Sequence, residues 1–279
     1  VRVWQTSVRP SYDVRQAVQD AVRKVESMQA HTGGITTWPG AARADWWTTA
    51  YAAHFLHEAR AAGYEVNAAA LDRMASYLAR KARLREVESV WADDGNALRP
   101  ATTRPAREIF YSMFVLAALG KQDVPTMNSY KARPDELSAD SRYMLACTYR
   151  MLGDERSFTQ LAQQDLVAEP ASRYRGDAYA TPVRDVAIGL YALAKVAPRD
   201  ARCQTLARRL GSMMKERRYL STQERSFGVM ALGLLARNVQ GSASTATVQL
   251  DGKTVATMNN GQSVVVCAGA GQTMSIVAK

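Results

Sequence analysis

Histidine and acidic side chains are the residues through which this chain could bind a metal ion. His54 and His57 are three residues apart, a spacing that brings two side chains to the same face of a helix. A metal site needs a third ligand, and His31 is the remaining histidine of the sequence. No particular Asp or Glu stands out in the sequence as the missing metal ligand. We therefore predict that the histidines pack as ordinary polar side chains, with no metal site and no cofactor.

Cysteine chemistry is similarly sparse. The three cysteines, Cys147, Cys203 and Cys267, are widely spaced and form no Cys-x-x-Cys pair, which disfavours a zinc site. Cys147 shares an apolar stripe with Met144 and Met151, so we predict that it is buried packing. These patterns assign no catalytic residue.

The charge of the chain is positive but dispersed. Its 279 residues carry a formal net charge of +10, and the densest basic cluster is Arg208-Arg209 with Arg217-Arg218 in one helical stretch. A nucleic-acid site would concentrate charge on one face, often with interleaved aromatics, so we predict a solvated helix face and no nucleic-acid partner. No apolar run approaches the roughly 18 residues of a membrane span.

Most of the chain follows a helical pattern. Asp45 is a plausible N-cap, and Gly63 occupies the position after a helix where a left-handed backbone is needed. Alanine-rich helices that end at Gly or Pro alternate with more charged ones, which predicts two concentric layers. Besides the helix after Asp45, the predicted helices cover residues 13–29, 67–83, 107–119, 139–152, 157–164, 183–196, 201–218 and 222–237.

These patterns predict a mainly α fold, an α/α toroid of helical hairpins like that of terpenoid cyclases. Residues 1–240 would form the toroid, incomplete at its N-terminus, with five inner helices. In residues 241–279, apolar and polar residues alternate instead, which predicts strands. A hairpin turn at Asp251-Gly252 is predicted between strands 245–250 and 253–257. A turn at 259–261 and strands 263–267 and 274–278 complete a β segment too small to stand alone, which we assign to a further β domain.

Three ordered motifs resemble a known family. The first motif covers residues 27–40, with Gly33-Gly34 and Trp38-Pro39-Gly40, and continues in residues 45–51. The second covers residues 181–187 and the third covers residues 220–224. In this order they resemble the thioester-domain region of bacterial alpha-2-macroglobulins, relatives of complement components. The resemblance extends from about Ala17 to the C-terminus.

The resemblance implies a broad-spectrum protease inhibitor. In that family a protease cuts a bait region, the molecule rearranges, and the protease is caged. The expected partners are target proteases, through the full-length protein, and neighbouring macroglobulin-type β domains of the same chain. The expected location is periplasmic, envelope-anchored or secreted. In many members a thioester between Cys and Gln also captures the protease covalently, as an activated acyl group shielded from water.

The sequence departs from the family at the thioester. The motif is Cys-x-Glu-Gln, whereas Cys147 is followed by Thr-Tyr-Arg, Cys203 by Gln-Thr-Leu and Cys267 by Ala-Gly-Ala. Two explanations remain open: a thioester upstream of Val1, or a member that traps by conformation alone.

Inner helices of a toroid share a direction, so their N-termini gather at one face. We expect five residues near these ends, where they could border the thioester position or a domain interface: Trp46, Arg184, Asp185, Gln223 and Glu224. Capping and packing by the same residues are the more common role at such positions, and we prefer that interpretation.

Two alternatives compete with an inhibitor. One is a non-catalytic scaffold that docks neighbouring domains. The other is an enzyme, either a terpenoid cyclase or a polysaccharide-processing toroid. The adjacent pair Asp93-Asp94 precedes Gly95-Asn96 and favours a turn over a metal-diphosphate motif. Asp45, Glu58 and Asp185 are the candidate carboxylates for glycoside chemistry. We expect no enzyme, and a filled toroid centre instead of an acidic, aromatic-lined cavity.

Overall fold

The computed structural model describes residues 13–41, 43–93, 98–163, 166, 181–239, 245–259, 266 and 271–278. Its helices are α1 (Val14–Ser27), α2 (Trp46–Ala61), α3 (Ala68–Arg83), α4 (Arg107–Ala118), α5 (Val124–Lys131), α6 (Ala139–Met151), α7 (Glu155–Leu161), α8 (Pro182–Val196), α9 (Ala201–Glu216) and α10 (Thr222–Val239). A 3-10 turn covers Pro134–Glu136. The strands are β1 (Val87–Asp93), β2 (Leu98–Pro105), β3 (Ala246–Leu250), β4 (Lys253–Met258) and β5 (Met274–Ala278).

The helix ends follow the predicted signals. The carboxylate of Asp45 accepts the backbone N–H of Thr48 at 2.6 Å, and Gly63 has a φ of +85° just after α2. Ser221 and Glu224 form the predicted capping box: the N–H of Ser221 donates to Oε2 of Glu224 at 2.7 Å, and the N–H of Glu224 donates to Oγ of Ser221 at 3.2 Å. These bonds satisfy backbone donors that the helix itself leaves without partners.

Five of the described helices, α2, α4, α6, α8 and α10, form a ring in which each packs against the next. The ring closes where Phe227 of α10 meets α2, with centroid distances of 6.2 Å to Trp47 and 5.6 Å to Tyr51. Helices α4, α6 and α8 are buried on most sides; in α8, every residue from 183 to 194 is buried. Helix α10 buries one face, which includes Phe227 and Ala231. Tyr111 of α4 contacts both Trp47 and Phe227, so side chains fill the centre.

A second layer of helices covers the ring. Helix α3 packs on α2 and α4, α7 packs on α6, and α9 packs on α8. Each has a polar outer face, and α9 buries only Cys203, Leu206 and Leu210. A one-sided apolar stripe is typical of a surface helix, whereas all-round burial is typical of a core helix. The mainly helical prediction is confirmed, and the two layers agree with a toroid.

The C-terminal strands form an antiparallel sheet in the order β4-β3-β5. Asp251 and Gly252 have φ of 50° and 77°, the two left-handed residues of the predicted hairpin turn. The predicted turn after Asn259 and the predicted strand 263–267 lie outside the described residues, apart from Val266. The division at residue 240 stays a prediction.

Two elements were not predicted from the sequence. Strands β1 and β2 form an antiparallel hairpin between α3 and α4. Pro100 and Pro105 argue against a strand, but a two-stranded ribbon has only edge strands, where proline is tolerated. Asp94, of the pair assigned to a turn, lies outside the described residues between these strands. Helix α5 was missed because it has eight residues and few strong helix formers.

Candidate functional site

The first turns of α4, α6 and α8 meet at one end of the ring and bring four charged side chains together. Nη1 of Arg107 lies 3.3 Å from Oδ2 of Asp185, and Nη2 of Arg184 lies 3.1 Å from Oδ1 of the same carboxylate. Both guanidiniums lie 3.6 Å from Asp140. At most 6% of any of these side chains is exposed. We call these four residues the buried ion cluster.

The cluster is electrically balanced, with two guanidiniums and two carboxylates. The carboxylates also lie at helix N-termini, where the backbone dipoles favour negative charge. Burial by itself would raise the pKa of Asp140, but Arg107, Arg184 and a hydrogen bond with Ser138 outweigh it and lower that pKa below its usual value. Asp140 is therefore a carboxylate at neutral pH, suited to fix the arginines rather than to exchange protons.

Helix α10 joins the cluster through Trp47. The guanidinium of Arg184 lies 4.7 Å from the centroid of the Trp47 ring, within cation–π range. Nε1 of Trp47 donates to Oε1 of Gln223 at 3.4 Å. Glu224 accepts from the hydroxyl of Thr181 at 2.8 Å, which links the starts of α8 and α10. Every helix of the ring thus contributes to this end.

The hairpin is tied to the same cluster. One carboxylate oxygen of Glu88 in β1 lies 2.6 Å from Nε of Arg104 in β2 and 3.2 Å from Nε of Arg107. The hairpin is therefore anchored to the first turn of α4 by a charged bridge.

The structure brings most of the predicted face residues together. Arg184 and Asp185 belong to the cluster, and Gln223 and Glu224 lie at its rim. Trp46 points elsewhere: its Nε1 donates to Oγ of Ser112 at 2.9 Å. Four of the five residues, all but Gln223, are buried, and Arg184 and Asp185 form ion pairs with residues of other helices.

Arg107 and Asp140 were not singled out from the sequence. Each lies in the first turn of an inner helix, the same position that pointed to Arg184 and Asp185. That positional argument, applied to all five inner helices, would have found them.

The cavity beside the buried ion cluster is too small for a substrate. The cavity beside the cluster holds about 10 Å³ and is lined by Trp47, Arg107, Phe110, Tyr111, Asp140, Ser141, Met144, Arg184 and Ile188. That volume suits about one water molecule. A terpenoid cyclase would need a much larger cavity at this position.

The candidate carboxylates for glycoside chemistry are also badly placed. Asp45 caps the start of α2, while Glu58 lies near its end, bound to Nζ of Lys195 at 2.6 Å. Thirteen residues of helix separate them by about 20 Å. Paired glycosidase carboxylates lie roughly 5 to 10 Å apart. Asp185 is held in the ion cluster.

His54 lies in the ring centre, and His57 lies about one turn further toward the C-terminal end of α2. His54 is buried, with Nδ1 and Nε2 each 2.9 Å from a tyrosine hydroxyl, Tyr111 and Tyr191 respectively. Within the described part of the chain, no group of three metal-binding side chains comes together.

The two described cysteines are buried and reduced, Cys147 in α6 and Cys203 in α9. Burial raises the pKa of both thiols, that of Cys203 to about 11. Since the thiolate is the reactive form, neither is suited to nucleophilic chemistry. Cys267 lies outside the described residues.

The Gly33-Gly34 motif has a packing explanation. A Cβ on Gly33 would lie 2.6 Å from the carbonyl oxygen of Arg73, and one on Gly34 would lie 2.6 Å from Cβ of Ala44. The side chain of Gln29 donates to the carbonyls of Gly33 and Ala70 at 2.9 and 2.8 Å. The motif thus seats the loop before α2 closely against α3.

Solved structures with a similar fold are known. No family model matches the chain, and no curated protein matches its sequence. Native alpha-2-macroglobulin from Escherichia coli, in a structure spanning domain MG7 to the C-terminus, has 21% identity and a TM-score of 0.66, over 94% of this chain and 39% of that one. Salmonella alpha-2-macroglobulin reacted with methylamine has 23% identity and a TM-score of 0.68, over 95% of this chain and 16% of that one.

A third structure, Escherichia coli alpha-2-macroglobulin activated by porcine elastase, has 22% identity and a TM-score of 0.65, over 94% of this chain and 22% of that one. The chain therefore spans well under half the length of these three solved chains. Among the described helices, none is long and apolar enough to cross a membrane. The chain has the fold of a segment of the bacterial alpha-2-macroglobulins.

Proposed function

We propose that this chain is the helical ring of a bacterial alpha-2-macroglobulin-type protease inhibitor, and that it acts without catalysis. The observation that carries the proposal is the fold match over 94–95% of the chain. The three ordered motifs that resemble the family's support it. The cavity beside the buried ion cluster, about 10 Å³, supports a structural role, because it is too small for a substrate.

Within this chain, trapping would proceed by conformation and not by a thioester. The sequence contains no Cys-x-Glu-Gln, and Cys147 and Cys203 are buried thiols with raised pKa values. A protease that cuts the bait region of the parent protein would then be held by rearranged domains.

We assign the face residues a supporting role. The buried ion cluster and its rim, formed by Trp47, Gln223 and Glu224, fix the relative positions of the five helix starts. Exposed aromatic side chains stand in two loops that lead into ring helices: Trp38, 74% exposed, and Tyr219, 83% exposed. We propose that neighbouring domains dock at this end and cover these two side chains.

The β segment would belong to a neighbouring macroglobulin-type domain. Val248, Ile276 and Ala256 are paired across β3, β5 and β4 and share one face of the sheet. Ile276 is 62% exposed, so this face has apolar surface for a further layer. We keep residues 1–240 and 241–279 as the two units. The inhibitor would act in the periplasm, on the envelope or outside the cell.

The first test uses the full-length parent protein. Its intact mass and free thiols are measured before and after methylamine. Conformational trapping predicts no mass gain and no new thiol; a gain of one methylamine with one new thiol would instead establish a thioester outside this segment.

The second test separates trapping from scaffolding. Trypsin mixed with the parent protein should lose activity toward a large protein substrate but keep activity toward a small peptide substrate, because a cage excludes by size. Unchanged activity toward both substrates would contradict trapping and leave a non-catalytic scaffold.

A further inference from the structure

We infer that the end of the ring opposite the buried ion cluster has a binding site for a small oxyanion. A cavity of about 360 Å³ lies there among the last turns of four ring helices, lined by His57, Ala118, Arg150, Met151, Lys195 and Val196. Its size is within the range of small-molecule sites. The inference does not depend on the proposed protease trap.

The polar lining is basic and comes from three helices. His57 extends from α2, Arg150 from α6 and Lys195 from α8, and no acidic residue of the described chain lines the cavity. Nζ of Lys195 donates to Glu58, and Arg150 pairs with Glu155. An ammonium has three N–H donors and a guanidinium five, so each side chain has donors beyond those its carboxylate partner uses.

His57 supplies the third group. Its Nδ1 is shielded from solvent and has no hydrogen-bond partner among the described residues. Burial lowers the pKa of His57; Glu58 opposes this, while Lys195 and Arg60 lower it further. The imidazole is therefore neutral at pH 7. A bound anion would raise its pKa, which gives binding a direct signal.

Helix ends explain part of this arrangement. Basic residues near a C-terminus stabilise the exposed carbonyl groups, and Lys195 and Arg150 both lie in last turns. That effect accounts for the charges but not for the cavity between them, nor for a buried imidazole nitrogen beside it. An oxyanion with two or more charged oxygens, such as phosphate or a small dicarboxylate, could bridge the guanidinium fork and the ammonium.

The test follows the ring signals of His57 by NMR as inorganic phosphate is added, with sodium chloride adjusted to constant ionic strength. The expected result is a saturable shift with a raised pKa of His57, while His31 is unchanged. Lys195→Gln should weaken binding by about tenfold, as expected for one lost charge-assisted hydrogen bond. Lys81→Gln, an ion-paired lysine at the other end of the ring, is the matched control.

Two results would overturn the site. One is a shift that stays linear in phosphate and is reproduced by sodium chloride. The other is equal weakening by Lys81→Gln and Lys195→Gln, which would indicate diffuse charge attraction. Because Lys195→Gln also removes the ion pair with Glu58, Arg150→Gln repeats the measurement from a second helix. A parallel titration with succinate extends the ligand class: saturation by either anion supports the site, and saturation by neither contradicts it.

Discussion

The hydroxyl of Tyr191 lies 2.9 Å from Nε2 of His54, and this contact sets the direction of a hydrogen-bonded chain through the ring centre. The same hydroxyl donates to Oε1 of Glu58 at 3.2 Å, so it must accept from Nε2–H. Nδ1 of His54 is then the acceptor for the hydroxyl of Tyr111 at 2.9 Å. The imidazole is neutral in this arrangement, because Nδ1 can accept from Tyr111 only when it carries no proton.

This requirement predicts a pH-dependent stability. Burial is the main cause that lowers the pKa of His54, from 6.5 to about 4; Glu58 opposes it. As pH falls below 6.5, the unfolded chain binds a proton that the folded chain does not, so the free energy of unfolding falls. The full loss is roughly 3 kcal/mol between pH 6.5 and 4. Urea unfolding at several pH values measures it.

The control is a pair of variants. His54→Gln should flatten the profile between pH 6.5 and 5, whereas His31→Gln, at an exposed position, should leave it as in the wild type. His57 contributes a slope of the same sign, so the comparison is between wild type and His54→Gln. Identical profiles for these two proteins would disprove the role of His54.

The buried ion cluster predicts a large cost for removing one charge. Asp140→Asn would remove one of the two carboxylates that Arg107 and Arg184 share, and would leave Arg184 with Asp185 as its ion-pair partner in a buried site. Breaking a buried pair in this way typically costs about 3 to 5 kcal/mol. Asp72→Asn removes an exposed pair with Lys121 and should cost under about 1 kcal/mol. Equal costs by chemical denaturation would contradict the cluster's importance.

Acid should weaken the same cluster in the wild type. Because the folded pKa of Asp140 is lowered, its contribution is complete above about pH 4, the unfolded value, and is lost as pH falls through the folded value. The Asp140→Asn variant should lack this part of the acid transition. Superimposable acid unfolding curves below pH 4 would argue against it.

The loop before α2 predicts a sharp contrast between two glycines. Gly34→Ala would place a methyl group 2.6 Å from Ala44 and 2.9 Å from the ring of Tyr77, which should destabilise the fold by about 1 to 3 kcal/mol. Gly211→Ala, in helix α9 with open space around it, should stabilise by up to about 1 kcal/mol. Thermal unfolding of both variants tests this; destabilisation by Gly211→Ala alone would contradict the packing argument.

Ring closure predicts that Phe227 is more important than its neighbours on α10. Phe227→Ala would remove contacts with Trp47, Tyr51 and Tyr111 and should cost about 3 to 5 kcal/mol. Val229→Ala, at a position 69% exposed, should cost little. A small effect of Phe227→Ala on urea unfolding would mean that α10 is not needed to close the ring.

Local signals made most of the helices predictable. Caps such as Asp45 and Ser221 and terminal glycines such as Gly63 act within a few residues, so the sequence shows them directly. The hairpin β1–β2 was missed because its two prolines oppose the local strand pattern. The ion cluster was only half predicted, because the pairing of Arg107 with Asp185 joins residues 78 positions apart. Position at a helix start indicates which end a residue occupies, but not which partner it meets.

The closed ring has a mechanical consequence. Its five helices have no free edge, since α10 returns to α2, and their starts are cross-linked by buried charges. Any large displacement of this unit in a longer protein must then bend the connecting segments at its boundaries, while the ring travels as one rigid body. A displacement imposed at one contact surface would then be passed to the opposite end mainly through the packed ring helices.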